Sequence, residues 1–312
     1  MRVQKTIEVN LRALYPKLNI QGEESKESIA DIDSALNPDA ITEAHRKFIT
    51  QEFLNGKHTE RLELIKDKLR QSYGEDEISS ELFESFSTKD AVVWIDPLDG
   101  TSDFVKENYP AVTVLIGLSI KGHSRIGVVH NPFSEEDETI GKTLFGTGEH
   151  GAFKLHYDQK MTEEELAGRS INYLEPFDSS EEVDESQKIK VAASLSHFSD
   201  TMEEIIEKGD PVEIVRLGGA GNKCCHISLG TVDAYIHPSP GLKYWDLCAP
   251  ESLVKAMGGY ATDLNGERFG YSLEGDRKLR GLVLARSPPM YNQVMQRIGA
   301  DYLKTVLKSI KL

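Results

Sequence analysis

The chain has 312 residues, 39% of them hydrophobic and 28% charged, with a formal net charge of −15. A chain of this length can bury a large core, either as one domain or as two fused halves. The negative charge argues against polymeric nucleic acid as a partner, because no basic stripe is present to release counterions. The chain can still bind a small anionic ligand where metal ions supply local positive charge.

Cysteine content and hydropathy predict a cytoplasmic protein without a membrane partner. The three cysteines, Cys224, Cys225 and Cys248, are too few for a disulfide framework and are typical of a reducing compartment. We expect the adjacent Cys224 and Cys225 to be buried packing residues, with metal binding as the alternative. No apolar run approaches the ~20 residues that span a bilayer, and the charged, amphipathic first residues do not form a secretory signal.

The N-terminal half, residues 1–156, is predicted to begin with an amphipathic helix and a short strand. Apolar side chains recur at helical spacing from Val3 to Leu14, so we expect a helix that ends near Pro16. The short apolar run at 18–20 then predicts a strand.

A polar, charged stretch separates this start from a region of strands. Residues 26–90 are expected to form a surface insertion beside the site, with helical stretches at 41–53 and 58–73. The run 91–95 is short, β-branched and aromatic, as in a buried strand. Two hairpins are predicted to follow it, at 112–120 with 126–130 and at 143–145 with 152–155.

The second half of the chain, residues 188–312, alternates strands with helices and so indicates an α/β layered sandwich. An acidic segment at 157–187 comes before it, and because this segment lacks apolar periodicity we expect an irregular excursion or a disordered loop. The predicted strands are 189–193, 212–216, 234–237, 260–262 and 281–285. The predicted helices are 200–208, a helix that opens at the glycines of 218–221, 246–257 and 290–308.

Two carboxylates and a hydroxyl follow the strand at 91–95, in the run Asp96-Pro97-Leu98-Asp99-Gly100-Thr101. Pro97 and the pair Asp99-Gly100 favour a tight turn, so the carboxylates of Asp96 and Asp99 are expected to converge beyond the strand end. Two carboxylates this close repel each other unless a cation lies between them, and Mg²⁺ accepts one or two carboxylates together with phosphate oxygens and water. Thr101 would then contact a metal-bound water. A solvated acidic turn after a strand is the alternative.

Two further acidic segments support a metal site, although each has an ordinary structural explanation. Asp246 follows Trp245 at a helix start, where an aspartate is most often a cap. Glu23 and Glu24 follow a predicted strand. Taken together, Gly22-Glu23-Glu24, the run from Asp96 to Thr101 and Trp245-Asp246 resemble the metal motifs of the lithium-sensitive, magnesium-dependent phosphomonoesterases of the inositol monophosphatase superfamily.

The resemblance covers about residues 2 to 300. Other segments point to one branch of the superfamily. The run Gly218-Gly219-Ala220-Gly221-Asn222-Lys223 and the run that leads from Ser239 to Asp246 are similar to the 3′(2′),5′-bisphosphate nucleotidase branch. This branch hydrolyses the 3′-phosphate of adenosine 3′,5′-bisphosphate to AMP, and some members act on inositol bisphosphates. The resemblance therefore implies the family's five-layer αβαβα sandwich, a small phosphorylated substrate, two or three Mg²⁺ ions and inhibition by Li⁺.

The resemblance also implies roles for single residues. Thr101 would be the catalytic residue that hydrogen-bonds the attacking water, and the attack would proceed without a covalent phosphoenzyme. The implied metal ligands are Glu23, Asp96, the Leu98 carbonyl, Asp99 and Asp246. The implied substrate contacts are Ser194, His197, Gly219 and Lys223. The residues alone leave alternatives open, because Ser196-His197 can cap the next helix and the glycine run can serve close helix–sheet packing.

One departure from the family concerns the aspartate that orients the catalytic threonine. Aligned on Gly22-Glu23-Glu24, that aspartate falls one position before Met1, and the family's preceding N-terminal helix is expected to be missing as well. We therefore expect a truncated product or a shortened isoform, with weak activity if the chain is complete, since such assistance is worth ~10²–10⁴-fold. The alternatives are a catalytically impaired nucleotide- or metal-binding protein and an inositol polyphosphate 1-phosphatase.

Overall fold

The structure, a computed structural model, describes residues 2–24, 87–133, 140–148, 150–158, 172–177, 188–195, 202–205, 212–274 and 277–309. Most of the predicted insertion at 26–90, with its two helical stretches, lies outside the described residues. Where it is described, the chain forms two β-sheets and a set of α-helices. None of the described helices is long and apolar enough to cross a membrane.

The first sheet has seven strands that neighbour one another in chain order, from β1 to β7. The strands are β1 Asn19–Gly22, β2 Ala91–Asp99, β3 Thr113–Ile120, β4 His123–Asn131, β5 Ile140–Thr147, β6 Gly151–Asp158 and β7 Asn172–Leu174. β1 runs parallel to β2, and each later pair is antiparallel. Both predicted hairpins are confirmed. Between β3 and β4 the chain turns through Lys121 and Gly122, whose φ angles of 51° and 84° are typical of a two-residue hairpin turn.

The short strand β7 lies within the segment 157–187, for which the sequence predicts irregular structure. Its three residues pair with β6 at the edge of the sheet. The ring of Tyr173 in β7 meets that of Phe153 edge-on, with 5.4 Å between the ring centroids. Three residues are too few to show an alternating pattern, so this strand depends on the edge that β6 offers and not on its own sequence.

The second sheet has five strands in the spatial order β11-β12-β10-β8-β9. They are β8 Ile189–Ser194, β9 Val212–Leu217, β10 Ala234–His237, β11 Tyr260–Thr262 and β12 Leu282–Ala285. β9, β8 and β10 are parallel, whereas β12 runs antiparallel to β10 and to β11. All five strands predicted in this half are confirmed to within one residue at each end.

The helices complete a stack of five layers. Those whose bounds lie within the described residues are α1 Arg2–Leu14, α2 Thr101–Val105, α3 Ala220–Ser228, α4 Tyr244–Ala256, α5 Pro288–Ile298 and α6 Ala300–Ser309. α1 covers the outer face of the first sheet, where Ile7 and Leu11 pack against Val93 and Ile95. α3 and α4 lie between the two sheets, and α5 and α6 cover the outer face of the second sheet. This is the αβαβα sandwich that the resemblance implies.

The C-terminal region contains two helices where the sequence predicts one helix over 290–308. α5 ends at Ile298 and is capped by Gly299, whose φ of 89° lies in the left-handed region that favours glycine. Both helices still pack into one core cluster, to which α5 contributes Met290 and Val294 and α6 contributes Leu303. A single glycine therefore breaks the helix without separating its two parts from the sheet.

Three glycines beneath α4 bring this helix close to the first sheet. Gly117, Gly127 and Gly146 lie side by side on β3, β4 and β5. A Cβ atom at Gly117 would lie 2.6 Å from the Ala249 nitrogen of α4. Cβ atoms at the other two glycines would also be too close to atoms of this helix. The missing side chains therefore set how closely α4, which carries Asp246 in its first turn, approaches the sheet.

Candidate metal centre

The Asp-Pro-Leu-Asp run lies within β2 and not beyond it. Asp96 pairs with Leu115 and Asp99 with Thr113, so three steps along β2 match two along β3, and the strand bulges between the two aspartates. The predicted tight turn directly after residue 95 is therefore wrong, because pairing with β3 keeps the chain in the sheet as far as Asp99. The chain turns only at Gly100, which has a φ of 83° and lies directly before α2.

Three carboxylates converge at the end of this strand. One oxygen from each of Asp96, Asp99 and Asp246 lies within 4.8 Å of the others. Asp96 and Asp99 are only 2% and 6% exposed, and Asp246 is half-buried. β2 supplies two of these side chains and the first turn of α4 supplies the third, so the close packing of α4 on the sheet assembles the cluster. No second cluster of this kind occurs in the part of the chain that the structure describes.

Backbone N–H groups orient the carboxylates of Asp96 and Asp246. The Leu98 N–H donates to Asp96 Oδ1 at 2.9 Å. The Lys243 N–H donates to Asp246 Oδ2 at 2.6 Å, at the start of α4. The capping explanation for Asp246 is therefore confirmed, and the same side chain also belongs to the acidic cluster.

The carboxylate of Asp99 caps the helix that follows the glycine run. The Ala220 N–H donates to Oδ1 at 3.0 Å, and the Gly221 N–H donates to Oδ2 at 2.8 Å. The Thr113 hydroxyl also donates to Oδ2, at 2.7 Å. The glycine run is expected to present N–H groups to an anion, and that anion is a side chain of the chain itself. A Cβ at Gly221 would overlap the Thr113 side chain, so the close-packing alternative is confirmed as well.

Glu23 lies at the end of β1, beside the cluster. Its N–H donates to the Ile95 carbonyl at 3.1 Å, which continues the parallel pairing of β1 with β2. Its side chain is exposed, and its negative charge contributes to the raised pKa values of Asp96 and Asp246. The structure thus brings this predicted ligand to the same end of the sheet, although the 4.8 Å cluster consists of the three aspartates.

Burial and mutual repulsion raise the pKa values of two of these carboxyl groups. Burial, followed by the charges of Asp99, Asp246 and Glu23, raises the pKa of Asp96 to about 11. Burial, followed by the charge of Asp99, raises the pKa of Asp246 to about 7. The shifts reflect the cost of burying these carboxylates and of bringing their negative charges together. Because clustered carboxylate oxygens are the donors that hard divalent cations prefer, these residues fit the Mg²⁺ that the resemblance implies.

The predicted catalytic hydroxyl contacts the predicted carbonyl ligand. Thr101 Oγ1 donates to the Leu98 carbonyl at 3.0 Å, and the Thr101 side chain is exposed at the start of α2. A hydroxyl that donates its proton in this way keeps its lone pairs as acceptors. The Thr101 oxygen is therefore free to act as an acceptor.

The predicted substrate contacts have different environments. Ser194 ends β8 and pairs with Leu217, which lies two residues before Gly219, so Ser194 and Gly219 occupy the same end of the second sheet. Lys223 is only 3% exposed, and its Nζ donates to the Gly219 carbonyl at 2.9 Å. His197 lies outside the described residues. The structure thus places Gly219 and Lys223 at the start of α3, and Ser194 at the same end of the second sheet.

Sequence reasoning missed two residues that support this site. Thr113 begins β3 and donates to Asp99, a contact that depends on the pairing of β2 with β3 and leaves no local signal. Asp103 in α2 is 3% exposed and accepts a hydrogen bond from Asn108 Nδ2 at 2.9 Å. A Cβ at Gly218 would overlap its carboxylate, so Asp103 and the glycine run are in direct contact. An acidic residue just after the metal motif was the available signal for Asp103.

The chain is similar in sequence to known proteins. A sequence model of the inositol monophosphatase family matches residues 57–298. The mouse protein named 3′(2′),5′-bisphosphate nucleotidase 1 is 29% identical over 276 residues, which cover 87% of this chain and 72% of the mouse protein.

Solved structures show the same fold. Inositol monophosphatase-II from Staphylococcus aureus MSSA476 superposes with a TM-score of 0.58 at 16% identity, over 98% of this chain and 84% of that one. An IMPase/NADP phosphatase complexed with Mg²⁺ and phosphate gives a TM-score of 0.55 at 13% identity, over 96% of this chain and 80% of that one. With a family match across most of its length and an acidic cluster at the end of β2, the chain belongs to the inositol monophosphatase family.

Proposed function

We propose that the chain is a Mg²⁺-dependent phosphomonoesterase that hydrolyses the 3′-phosphate of adenosine 3′,5′-bisphosphate to AMP and phosphate. One observation carries the proposal, the convergence of the Asp96, Asp99 and Asp246 carboxylates within 4.8 Å. The name of the similar mouse nucleotidase supports the substrate. The Mg²⁺ and phosphate in a structural neighbour support the metal. Inositol 1,4-bisphosphate is the second substrate to test, since some family members act on inositol bisphosphates.

The residues around the cluster have separate tasks in this reaction. The residues that would hold two or three Mg²⁺ ions are Glu23, Asp96, the Leu98 carbonyl, Asp99 and Asp246. Bound there, the ions would polarise the phosphoryl group and lower the pKa of a coordinated water. The Thr101 hydroxyl, which donates to the Leu98 carbonyl, accepts a hydrogen bond from the attacking water and aims its oxygen at phosphorus. The bond from the water oxygen to phosphorus forms as the bond to the ribose 3′ oxygen breaks, so no covalent phosphoenzyme is needed. The attacking water gives up one proton to solvent, and the departing 3′ oxygen takes one up to become the hydroxyl of AMP.

The start of α3 is the proposed nucleotide subsite, with contacts from Ser194, His197, Gly219 and Lys223. Its support is the placement of Ser194 and Gly219 at one end of the second sheet. The buried Lys223 Nζ donates to the Gly219 carbonyl and so holds this loop, although burial lowers the pKa of its amino group. Because Asp99 joins α3 to the acidic cluster, a nucleotide at this loop would lie beside the metal ions.

The experiment measures phosphate release from adenosine 3′,5′-bisphosphate and from inositol 1,4-bisphosphate, first with Mg²⁺ and then with Li⁺ added. We expect turnover of the nucleotide that requires Mg²⁺ and falls with Li⁺. Asp99→Asn should abolish turnover, whereas the control Asp301→Asn, at an exposed carboxylate on α6, should not. Retained nucleotide binding without turnover of either substrate would identify the catalytically impaired binding protein instead.

We also propose a cytoplasmic location and small molecules as the partners of the site. Cys224, Cys225 and Cys248 are free and buried, which supports a reducing compartment. Cys224 and Cys225 belong to hydrophobic core clusters, as expected of packing residues. Subcellular fractionation tests the location, and recovery of the chain in a membrane or secretory fraction would contradict it.

A further inference from the structure

Gln4 of α1 contacts the backbone next to Glu23. Gln4 is 2% exposed, although its neighbours on the helix are exposed or half-buried. Its Oε1 accepts a hydrogen bond from the Glu24 N–H at 3.0 Å, and its Nε2 donates to the Glu24 carbonyl at 3.3 Å. The same Nε2 donates to Glu8 at 2.8 Å. The side-chain amide thus pairs with both polar backbone groups of one residue, and it is held in place by a third hydrogen bond.

Gly22 makes room for this amide. A Cβ atom at Gly22 would overlap the amide group of Gln4. Gly22 belongs to the strand β1 and is not among the glycines with positive φ, so here glycine provides space and not an unusual backbone conformation. In the Gly22-Glu23-Glu24 motif, the glycine therefore admits Gln4 and the second glutamate offers its backbone to it.

Glu23 is fixed on both sides as a result. Its own N–H donates to the Ile95 carbonyl of β2 at 3.1 Å. The residue that follows it is held by Gln4. Because the Glu23 side chain is exposed, the ordered backbone is what limits the positions that its carboxylate can reach. Ordering an exposed segment at the moment of binding costs conformational entropy, and a segment that is already ordered avoids that cost.

We propose that Gln4 is a positioning residue of the metal centre, whose amide fixes the backbone of Glu23–Glu24 and so keeps the Glu23 carboxylate ready for Mg²⁺. This inference rests on the proposed function, because it takes Glu23 as a metal ligand. Replacing a residue that orients a metal ligand typically weakens metal binding by ~10–100-fold. Gln4→Met keeps the length of the side chain and removes its hydrogen bonds, so we expect the half-saturating Mg²⁺ concentration to rise about 10-fold.

The test measures Mg²⁺ binding to the whole chain by titration calorimetry, with the Mg²⁺ dependence of phosphate release as a second readout. The matched control is Asn10→Leu, which removes another amide from α1, one that donates to the Thr6 carbonyl within the helix. This control should keep the wild-type half-saturation. Thermal unfolding without Mg²⁺ is followed in each variant. A lower Tm for Gln4→Met with unchanged half-saturation would show a merely structural role and overturn the proposal.

Two further variants make the test independent of the folding of Gln4→Met. Gly22→Ala drives a methyl group into the same amide and should weaken Mg²⁺ binding in the same way. In a Glu23→Ala background, Gln4→Met should weaken binding no further, because Gln4 acts through Glu23. Full additivity of the two losses would overturn the proposal. A wild-type chain that fails to bind Mg²⁺ would refute the proposed function itself, whereas normal wild-type binding with an unaffected Gln4→Met refutes the role of Gln4 alone.

Discussion

One methyl group added at Gly127 is expected to disturb both the fold and the metal centre. In Gly127→Ala the new Cβ would overlap the Ala249 carbonyl and lie 3.0 Å from the Ser252 Cβ, both in α4. A helix backbone cannot rotate out of the way as a flexible side chain can, so α4 and β4 must separate. Gly127 is not among the glycines with positive φ, so alanine adds no backbone strain and the steric contact is the new cost.

The size of the effect follows from two opposing contributions. Overpacking of a core typically costs ~1–3 kcal/mol, and replacing glycine by alanine returns ~0.4–1 kcal/mol by restricting the unfolded chain. Together these ranges leave a net loss in the free energy of unfolding of about 0–2.6 kcal/mol. Because the contact is with helix backbone that cannot move aside, we exclude the low end and expect about 1–2 kcal/mol. In domains of ~150–250 residues each kcal/mol lowers Tm by ~2–4 °C, so we expect a decrease of about 2–8 °C. Because α4 carries Asp246, Mg²⁺ binding should weaken too.

Thermal unfolding in a chelator, followed by circular dichroism, measures the first effect, and calorimetric titration with Mg²⁺ measures the second. The matched control is Gly270→Ala, because a Cβ at Gly270 has nothing within 4 Å. Its Tm should equal or slightly exceed that of the wild type. If Gly127→Ala unfolds at or above the wild-type temperature, α4 does not rest on the glycines of the sheet, and Asp246 reaches Asp96 in some other way.

Removing the metal, the catalytic hydroxyl or a buried hydrogen bond should each give a separate result. Mg²⁺ at 100 times its dissociation constant should stabilise the fold by ~2.7 kcal/mol, seen as a rise in Tm that a chelator reverses; no rise would contradict the metal centre. Thr101→Val should lower kcat by up to ~10²–10⁴-fold and leave the half-saturating Mg²⁺ concentration unchanged. Thr101→Ser, which keeps a hydroxyl, should retain much of the wild-type kcat. Equal kcat values for the Val and Ser variants would exclude the hydroxyl from the reaction. Tyr271→Phe removes the hydroxyl that donates to the buried Glu251 and should cost ~1–3 kcal/mol in chemical denaturation, so an unchanged free energy of unfolding would mean that this bond contributes nothing.

Most elements were predictable because their patterns are local. The helical spacing of α1 and the β-branched run of β2 identify these elements without any partner. The bulge in β2 and the strand β7 were missed, because both depend on a neighbouring strand: β3 keeps Asp99 in the sheet, and β6 offers an edge. The break at Gly299 is a different case, since the glycine is present in the sequence and its signal was overlooked.

The acidic residues of the candidate site were also predictable from a local pattern, whereas the environment of one of its residues was not. Carboxylates, a threonine and a glycine in one short run indicate a metal site before any fold is known, and the structure brings Asp96, Asp99 and Asp246 together. The environment of Lys223 was not predictable. The Lys223 side chain is buried, and its Nζ lies 5.0 Å from the ring centre of Tyr235. This environment depends on how β10, which carries Tyr235, packs against α3.

Asp99 links the acidic cluster to the proposed nucleotide subsite. We therefore expect one substitution at Asp99 to weaken both metal binding and nucleotide binding. Its carboxylate accepts the first N–H groups of α3 as well as belonging to the cluster, whereas Asp96 is oriented by the Leu98 N–H. The substitution Asp99→Asn replaces one carboxylate oxygen, an acceptor, by an NH₂ group, a donor that would face these N–H groups. Asp99→Asn should therefore weaken nucleotide binding even in a chelator, while Asp96→Asn should not. Equal nucleotide affinity in the two variants, measured by calorimetry, would mean that the cluster and α3 act independently.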